Sequence, residues 1–382
     1  MNVTEFDDIR PYTDAELPSV MEELLADPAF MHMIESTPSP WSKEQLVTTL
    51  RSCRTKLELQ KRIMYPLLWH LAHRFTDSLT MDMNAITDRT KAYTYISNHR
   101  DIILDPAFLA ILLFDEGLDT MEIAIGDNLL IYPWIQKMVR LNKSFIVKRS
   151  LTMRQMLEAS ATLSRYIHTT ISRGQSIWIA QREGRAKDSN DETQESLLKM
   201  LTMAGEGDII DRLTELRIAP LSISYEYDPC DYLKAQEFQL KRDNSEYRKS
   251  RADDLLNMQT GLLGYKGHVH FHISEPIDDA LRLLDKKQPK KDLLEQAAAV
   301  IDRSIYRGYR LYPNNYIADD LLSKGSSDNT SYYTEEEKAR FEQYIQKQLD
   351  KIRVPHPDTS YLREKLLWMY ANPLRNQRKQ DL

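Results

Sequence analysis

Thr94-Tyr95-Ile96-Ser97-Asn98-His99-Arg100-Asp101-Ile102-Ile103-Leu104-Asp105-Pro106 runs from an aromatic and β-branched stretch through a histidine to two carboxylates and a proline. The run Ala92 to Ser97 predicts a strand, because such side chains fit a pleated, buried surface. Pro106 suits the first turn of a helix, with Asp105 as N-cap and Phe108, Leu109, Leu112 and Leu113 on its apolar side. Strand end, histidine loop and helix start then meet at one point. A neutral imidazole, with a reference pKa of roughly 6.5, can take a proton from a hydroxyl near neutral pH. A carboxylate on the other ring nitrogen fixes the tautomer and stabilises the imidazolium. His99 is therefore the candidate general base. Asp105 is the favoured orienting carboxylate, for its place at the helix start, with Asp101 as the alternative.

Working outward, strands are predicted at Met121 to Ile125, Ser144 to Val147, Ser176 to Ala180, Ile218 to Tyr225 and His268 to Ile273, with helical patterns such as Met153 to Ser172 between them. That alternation predicts an α/β fold, a mixed sheet flanked by helices, with its site at the C-terminal ends of the strands. Residues 1–80 read as an N-terminal helical region. It includes an N-cap pattern at Ser42-Lys43-Glu44-Gln45 and a long helical stretch from Leu57 to Phe75. Residues 81–285 form the α/β domain and 286–382 a C-terminal helical extension. Lys324 to Tyr332, rich in Gly, Ser, Asp and Asn, reads as a flexible loop, and Arg375 to Lys379 as a short, fraying basic tail.

With 382 residues, of which 42% are hydrophobic, the chain can bury a sizeable core. A net charge of −6 excludes a protein-wide nucleic-acid footprint, so any basic site is local. Two cysteines, Cys53 and Cys230, are too few for a disulfide framework and suit a reducing cytoplasm. The acidic start, Glu5, Asp7, Asp8, Asp14 and Glu16, is unlike a signal peptide. No window approaches the roughly 18 to 20 apolar residues of a membrane span. The expected location is cytoplasmic, with peripheral contact at the inner membrane face left open through amphipathic helices.

The histidine segment resembles the first motif, His-x-x-x-x-Asp, of the glycerolipid acyltransferase superfamily, the glycerol-3-phosphate and lysophosphatidic acid acyltransferases. Further segments follow in the family's order over about residues 80 to 280. Gly126-Asp127-Asn128-Leu129 with Ser144-Phe145-Ile146-Val147-Lys148-Arg149 is similar to the second block, and Ile177 to Arg185, ending Glu183-Gly184-Arg185, to the third. Ala219-Pro220 to Tyr225-Glu226 is similar to the fourth, and Ser274-Glu275-Pro276-Ile277 is close to the Gly-Glu-Pro-Ile of the glycerol-3-phosphate branch. Two departures stand out. Five residues, not four, separate His99 from Asp105. Arg185 directly follows Gly184, so Ala186 holds the family's arginine position.

The resemblance implies transfer of a fatty acyl group from acyl-CoA or acyl carrier protein to the hydroxyl of glycerol 3-phosphate or a lysophospholipid, in phospholipid biosynthesis. No resident cofactor is implied. Arg149 and Arg185, backed by Lys148 and Lys187, would hold the acceptor phosphate, since cations at strand ends suit phosphate oxygens. Glu183 and Gly184 would shape that site, and Glu183 could equally orient Arg149. A groove along Phe108, Leu112 and Trp134 is expected for the acyl chain. The altered third block keeps open an amino-acid or sugar lipid as acceptor, or a non-catalytic lipid-binding relative. Oligomeric state is not readable. His268, His270 and His272 alternate along one strand face, but no neighbouring Cys or carboxylate cluster completes a site, so no metal is expected and cross-strand hydrogen bonds are.

Overall fold

A computed structural model describes residues 5–149, 151–323 and 328–380 of the chain. Seven strands, β1 (Ser78–Asp82), β2 (Thr94–Ser97), β3 (Glu122–Gly126), β4 (Ser144–Val147), β5 (Ile177–Ala180), β6 (Ile218–Tyr225) and β7 (His268–Ile273), form one sheet in the order β1-β7-β6-β2-β5-β3-β4. The strands from β6 to β4 are mutually parallel. β7 runs antiparallel to β6, and β1 parallel to β7. The sheet is thus mixed, as expected, and it is covered on both faces. β2 and β6 are buried at every position, as their near-continuous apolar runs require.

Alternation along the strands sorts side chains into two cores. Ile96, Ile177, Ile179 and Ile218 point to one face, beneath the helices Met153–Ser172 and Lys290–Arg307. Tyr95, Trp178, Ala219 and Leu221 point to the other, beneath Tyr65–Phe75 and Leu104–Asp115. The N-terminal helices close a separate cluster around Leu17, Leu24, Phe30 and Leu46. Ser42 forms the expected capping box with Gln45 and opens the helix Lys43–Ser52. The C-terminal helices Pro313–Ser323, Glu335–Leu349 and Thr359–Arg378 pack together around Ile317, Phe341, Ile345 and Leu366, against Ala235.

Three expectations need correction. β1 was not foreseen, because Ser-Leu-Thr-Met-Asp is a short edge strand that buries only Leu79, and its partner β7 lies far along the chain. Arg375 to Lys379 is no frayed tail. It ends a helix that Asp319 holds through Arg375 at 2.7 Å and Arg378 at 3.3 Å. Asp105 is not an N-cap. The helix begins at Leu104 with Ile103 at its N-cap, and Asp101 closes the preceding turn, its Oδ1 accepting the backbone N–H of Ile103 and Leu104 at 2.9 and 2.8 Å. Of the loop expected at Lys324 to Tyr332, residues 324–327 lie outside the described residues, and Thr330–Tyr332 forms a 3-10 turn.

Asp101 is also pressed by the helix Arg251–Leu263: a methyl group on Gly261 would overlap its Oδ2. Alanine favours a helix over glycine by about 1 kcal/mol, but overpacking against a carboxylate fixed by backbone N–H groups costs about 1 to 3 kcal/mol. Gly261→Ala is expected to lower the melting temperature. An unchanged or higher value in a thermal melt would show that Asp101 yields.

Candidate active site

Because β2, β3, β4, β5 and β6 are parallel, the loops after them gather at one edge of the sheet. Asn98 fixes the first of these loops. Its buried side-chain amide donates to Ile223 O at 2.9 Å and accepts from Ile223 N at 2.8 Å, pinning the loop to β6. His99 follows, with Nδ1 2.7 Å from Oδ2 of the fully buried Asp105. The same oxygen accepts the backbone N–H of Arg100 at 2.6 Å and of Asp101 at 3.0 Å. An ionised carboxylate only accepts, so Nδ1 carries the proton and Nε2 is left as the basic nitrogen. Nε2 has no hydrogen-bond partner among the described residues. Trp178 packs edge-on against the imidazole with centroids 5.5 Å apart, and its indole N–H is held by Ser97 Oγ at 3.0 Å.

The extra residue between His99 and Asp105 is taken up in the turn where Asp101 accepts the N–H groups of Ile103 and Leu104, and Asp105 reaches the imidazole from the first helical turn. Asp101 makes no hydrogen bond to His99. Burial, with the Asp105 carboxylate nearby, pushes its pKa above the usual carboxylate range. Asp105 Oδ1 meets no close hydrogen-bond partner among the described residues, and the buried hydroxyl of Tyr225, at the end of β6, lies towards that carboxylate. Burial and the charges of Asp105 and Asp101 push that phenol well above its ordinary pKa.

The candidate phosphate-binding residues divide into two groups. Lys148, Arg149 and Glu183 line a cavity of about 540 Å³ beyond the ends of β4 and β5, together with Ile146, Ile179 and Met156. Arg149 Nη1 lies 3.4 Å from Glu183 Oε1, and Arg149 N donates to Asp127 Oδ1 at 3.2 Å. The guanidinium lies over Gly126, where a Cβ would sit 2.8 Å from Nε. Lys148 pairs with Asp8 at 3.2 Å at the surface. Gly184 turns the chain with φ +69°, a conformation glycine adopts without strain.

Arg185 and Lys187 point elsewhere. Arg185 Nη2 donates to Asn257 Oδ1 at 2.8 Å, and Lys187 is ion-paired with Glu237. Burial brings the Lys187 ammonium down to about 8. Neither lines the cavity that holds Arg149, so the structure does not bring the four cations together. Arg100, beside His99, is also committed: Asp191 grips its guanidinium at 3.0 and 2.6 Å, with Tyr309 on the same carboxylate.

Phe108, Leu112 and Trp134 do not form the expected acyl groove. Phe108 and Leu112 are buried in the core, and Trp134 packs on Phe30 among the N-terminal helices. An apolar helix face reads the same whether it meets a core or a ligand. Three exposed apolar side chains stand together at the start of the helix Met153–Ser172: Met153 is 89% exposed, Leu157 62% and Met156 46%. Sequence reasoning missed them, and also Asn98, Trp178 and Tyr225. The signal for the helix start was Thr152 before three apolar residues on a helix whose other face is also apolar.

Residues 80–223 match the protein-family model "Acyltransferase". This stretch of the chain is an acyltransferase domain by its match to that model. The matched segment runs from β1 into β6 and contains the His99 loop and most of the Arg149 cavity wall, to which Glu5, Asp8 and Ile9 also contribute. A crystal structure of the 1-acyl-sn-glycerophosphate (LPA) acyltransferase PlsC from Thermotoga maritima aligns over 75% of this chain and 93% of its own, at 10% identity and a TM-score of 0.38. No curated protein sequence matches the chain.

Near Asp101 of the candidate site lies Lys266. It is fully buried, donates to Gly264 O at 2.5 Å, stands 5.7 Å from the Phe75 ring centre, and feels the charge of Asp101. Burial lowers its pKa from 10.5 to about 8. The folded protein therefore holds fewer protons than the unfolded chain between these values. The cost of the buried ammonium is full below about pH 8 and fades as pH rises towards 10.5. Relative to Lys266→Met, the wild-type protein is expected to gain stability between pH 7 and pH 10. Parallel melting curves across that range would check this, and a difference that does not move with pH would contradict it.

Proposed function

We propose that the acyltransferase domain moves a fatty acyl group from a thioester, acyl-CoA or acyl carrier protein, to the hydroxyl of glycerol 3-phosphate or a lysophospholipid, with His99 as general base. The observation that carries this reading is the 2.7 Å bond between His99 Nδ1 and Asp105, which leaves Nε2 basic at the edge where the strands end. In the reaction Nε2 takes the acceptor hydroxyl proton as that oxygen attacks the thioester carbonyl. Asp105 stabilises the imidazolium. Collapse of the tetrahedral intermediate breaks the carbon–sulfur bond, and the imidazolium returns the proton to the departing thiolate. No acyl-enzyme is needed.

Arg149 supports a phosphorylated acceptor. Its one side-chain ion pair, to Glu183, is long and solvent-facing; Lys148 and Arg182 line the same cavity, whereas Lys187 and Arg100 are held elsewhere by internal carboxylates. Acceptor binding through its planar fork would place the hydroxyl rather than perform the chemistry. In a purified-protein assay with acyl-CoA or acyl carrier protein and a panel of acceptors, His99→Ala is expected to cost about 10² to 10⁴ in rate without loss of the fold. Asp105→Asn should damage more than Asp101→Asn. Arg149→Ala should raise the acceptor KM about tenfold or more, as loss of a charge-assisted bond worth roughly 1.5 to 3 kcal/mol requires. Near wild-type turnover by His99→Ala would end this mechanism. An uncharged acceptor used as well as glycerol 3-phosphate would favour an amino-acid or sugar lipid.

Among the described residues no helix is long and apolar enough to cross a membrane. We assign contact with the lipid surface to Met153, Met156 and Leu157, because Met156 lines the Arg149 cavity and the other two stand beside it. Burying one such side chain in lipid is worth roughly 1.5 to 3 kcal/mol. Met153→Glu with Leu157→Glu should therefore weaken sedimentation with phosphatidylglycerol vesicles by about tenfold or more, while turnover of a soluble short-chain acceptor holds. Equal vesicle binding by the double variant would remove this surface from the reading.

A further inference from the structure

β7 presents His268, His270 and His272 to one side and buries Val269, Phe271 and Ile273 on the other. Each imidazole faces a polar partner on β1. Nδ1 of His268 is 2.9 Å from Ser78 Oγ, Nδ1 of His270 is 2.8 Å from Thr80 Oγ1, and Nδ1 of His272 is 3.5 Å from Asp82 Oδ2. The ladder follows from the parallel register Ser78↔His268 to Asp82↔His272. His268 differs from the others in its surroundings. The turn before β1 and the residue after β6 bring the carboxylates of Asp77 and Glu226 to it, and ligand atoms of all three lie within 4.8 Å of one another. The sequence, in which 42 and 191 residues separate these partners from His268, shows no such cluster.

Each of the three groups has one atom held and another left over. His268 Nδ1 is held by Ser78, which leaves Nε2. Asp77 Oδ2 is held by the Tyr265 hydroxyl, and Glu226 Oε2 accepts His268 N at 2.9 Å, which leaves one oxygen on each. Such outer partners are what orient metal ligands. A cavity of about 390 Å³ opens at this point, lined also by Tyr312 and, from the helix Glu335–Leu349, by Arg340 and Lys347. Tyr312 is part of the same wall: it is 7% exposed, its ring stacks on His268 with centroids 6.1 Å apart, and its buried hydroxyl has no hydrogen-bond partner among the described residues.

We propose that Asp77, Glu226 and His268 bind one divalent transition-metal cation of the zinc or manganese class, with its open position towards this cavity. One imidazole nitrogen and two carboxylate oxygens match the ligand preferences of such ions and leave room for water or an anion. Arg340 and Lys347 line the same cavity together with Glu337, so an anion completing the coordination has two cations within the same walls. The site lies at the edge where β6 ends, one strand beyond β2, and does not depend on the acyl-transfer reading.

Calorimetric titration of the full chain with Zn²⁺, and in parallel Mn²⁺, tests the assignment. One equivalent should bind, Zn²⁺ more tightly, and His268→Ala and Asp77→Asn should each weaken binding about tenfold or more. His270→Ala, on the same strand face, should leave it unchanged, and melting curves of all variants establish that they fold. Tyr265→Phe should weaken binding with every ligand present. Absence of a one-equivalent site, or a site that survives both His268→Ala and Asp77→Asn, would overturn the proposal.

Discussion

One carboxylate oxygen, Oδ2 of Asp105, sets the geometry on which the candidate active site depends. It receives His99 Nδ1–H and the backbone N–H groups of Arg100 and Asp101, three donors from consecutive residues of one loop. Inside a fully buried environment an ionised oxygen with fewer donors would be costly, and removing any one of them would leave charge uncompensated. The loop is thus folded around the acid. Asn98, by clasping the backbone of Ile223, holds the same loop to β6, so that the imidazole is fixed from both ends.

The remaining charges nearby mostly serve assembly. The Arg100–Asp191 pair with Tyr309, and the Lys187–Glu237 pair, tie the loop after β5 to the sheet edge and to the helix Asp231–Asp243. That helix is in turn held by Asp231, which accepts the hydroxyls of Tyr344 and Tyr370 at 2.7 and 2.6 Å from the C-terminal helices. Asn372 donates to Asp188 O at 2.8 Å and returns the connection to the loop. Breaking one partner of such buried pairs costs far more than the pair contributes by forming. The C-terminal helices therefore bear on the region around the site through hydrogen bonds as well as through packing. Arg149 stands apart from this framework, at a cavity wall and partly exposed.

Much of the fold was legible because its strands are short apolar runs and its helices carry periodic apolar faces and caps. Ser144–Val147, Ile218–Tyr225, His268–Ile273 and Met153–Ser172 were read to the residue. Those signals are local, and local sequence contains them. β1 escaped because an edge strand burying a single leucine has no apolar run to show. Asp105 falls inside the first helical turn rather than at its cap, because the loop's path, with Asp101 accepting the Ile103 and Leu104 N–H groups, starts the helix at Leu104.

The order of residues by itself determined the α/β class, the place of His99 after a strand, and the supply of carboxylates to pair with it. Tertiary structure alone decided which cations are free and which carboxylates meet which imidazole. Lys187 and Arg149 look alike along the chain, but Glu237, fifty residues on, neutralises the first, whereas the second faces a cavity. His268 looks isolated along the chain and lies beside Asp77 and Glu226 in space. The physical reason is common to all of these cases. Propensity and periodicity act over a few residues, whereas the energy of a charge depends on partners and burial that parallel strand crossovers bring from far along the chain.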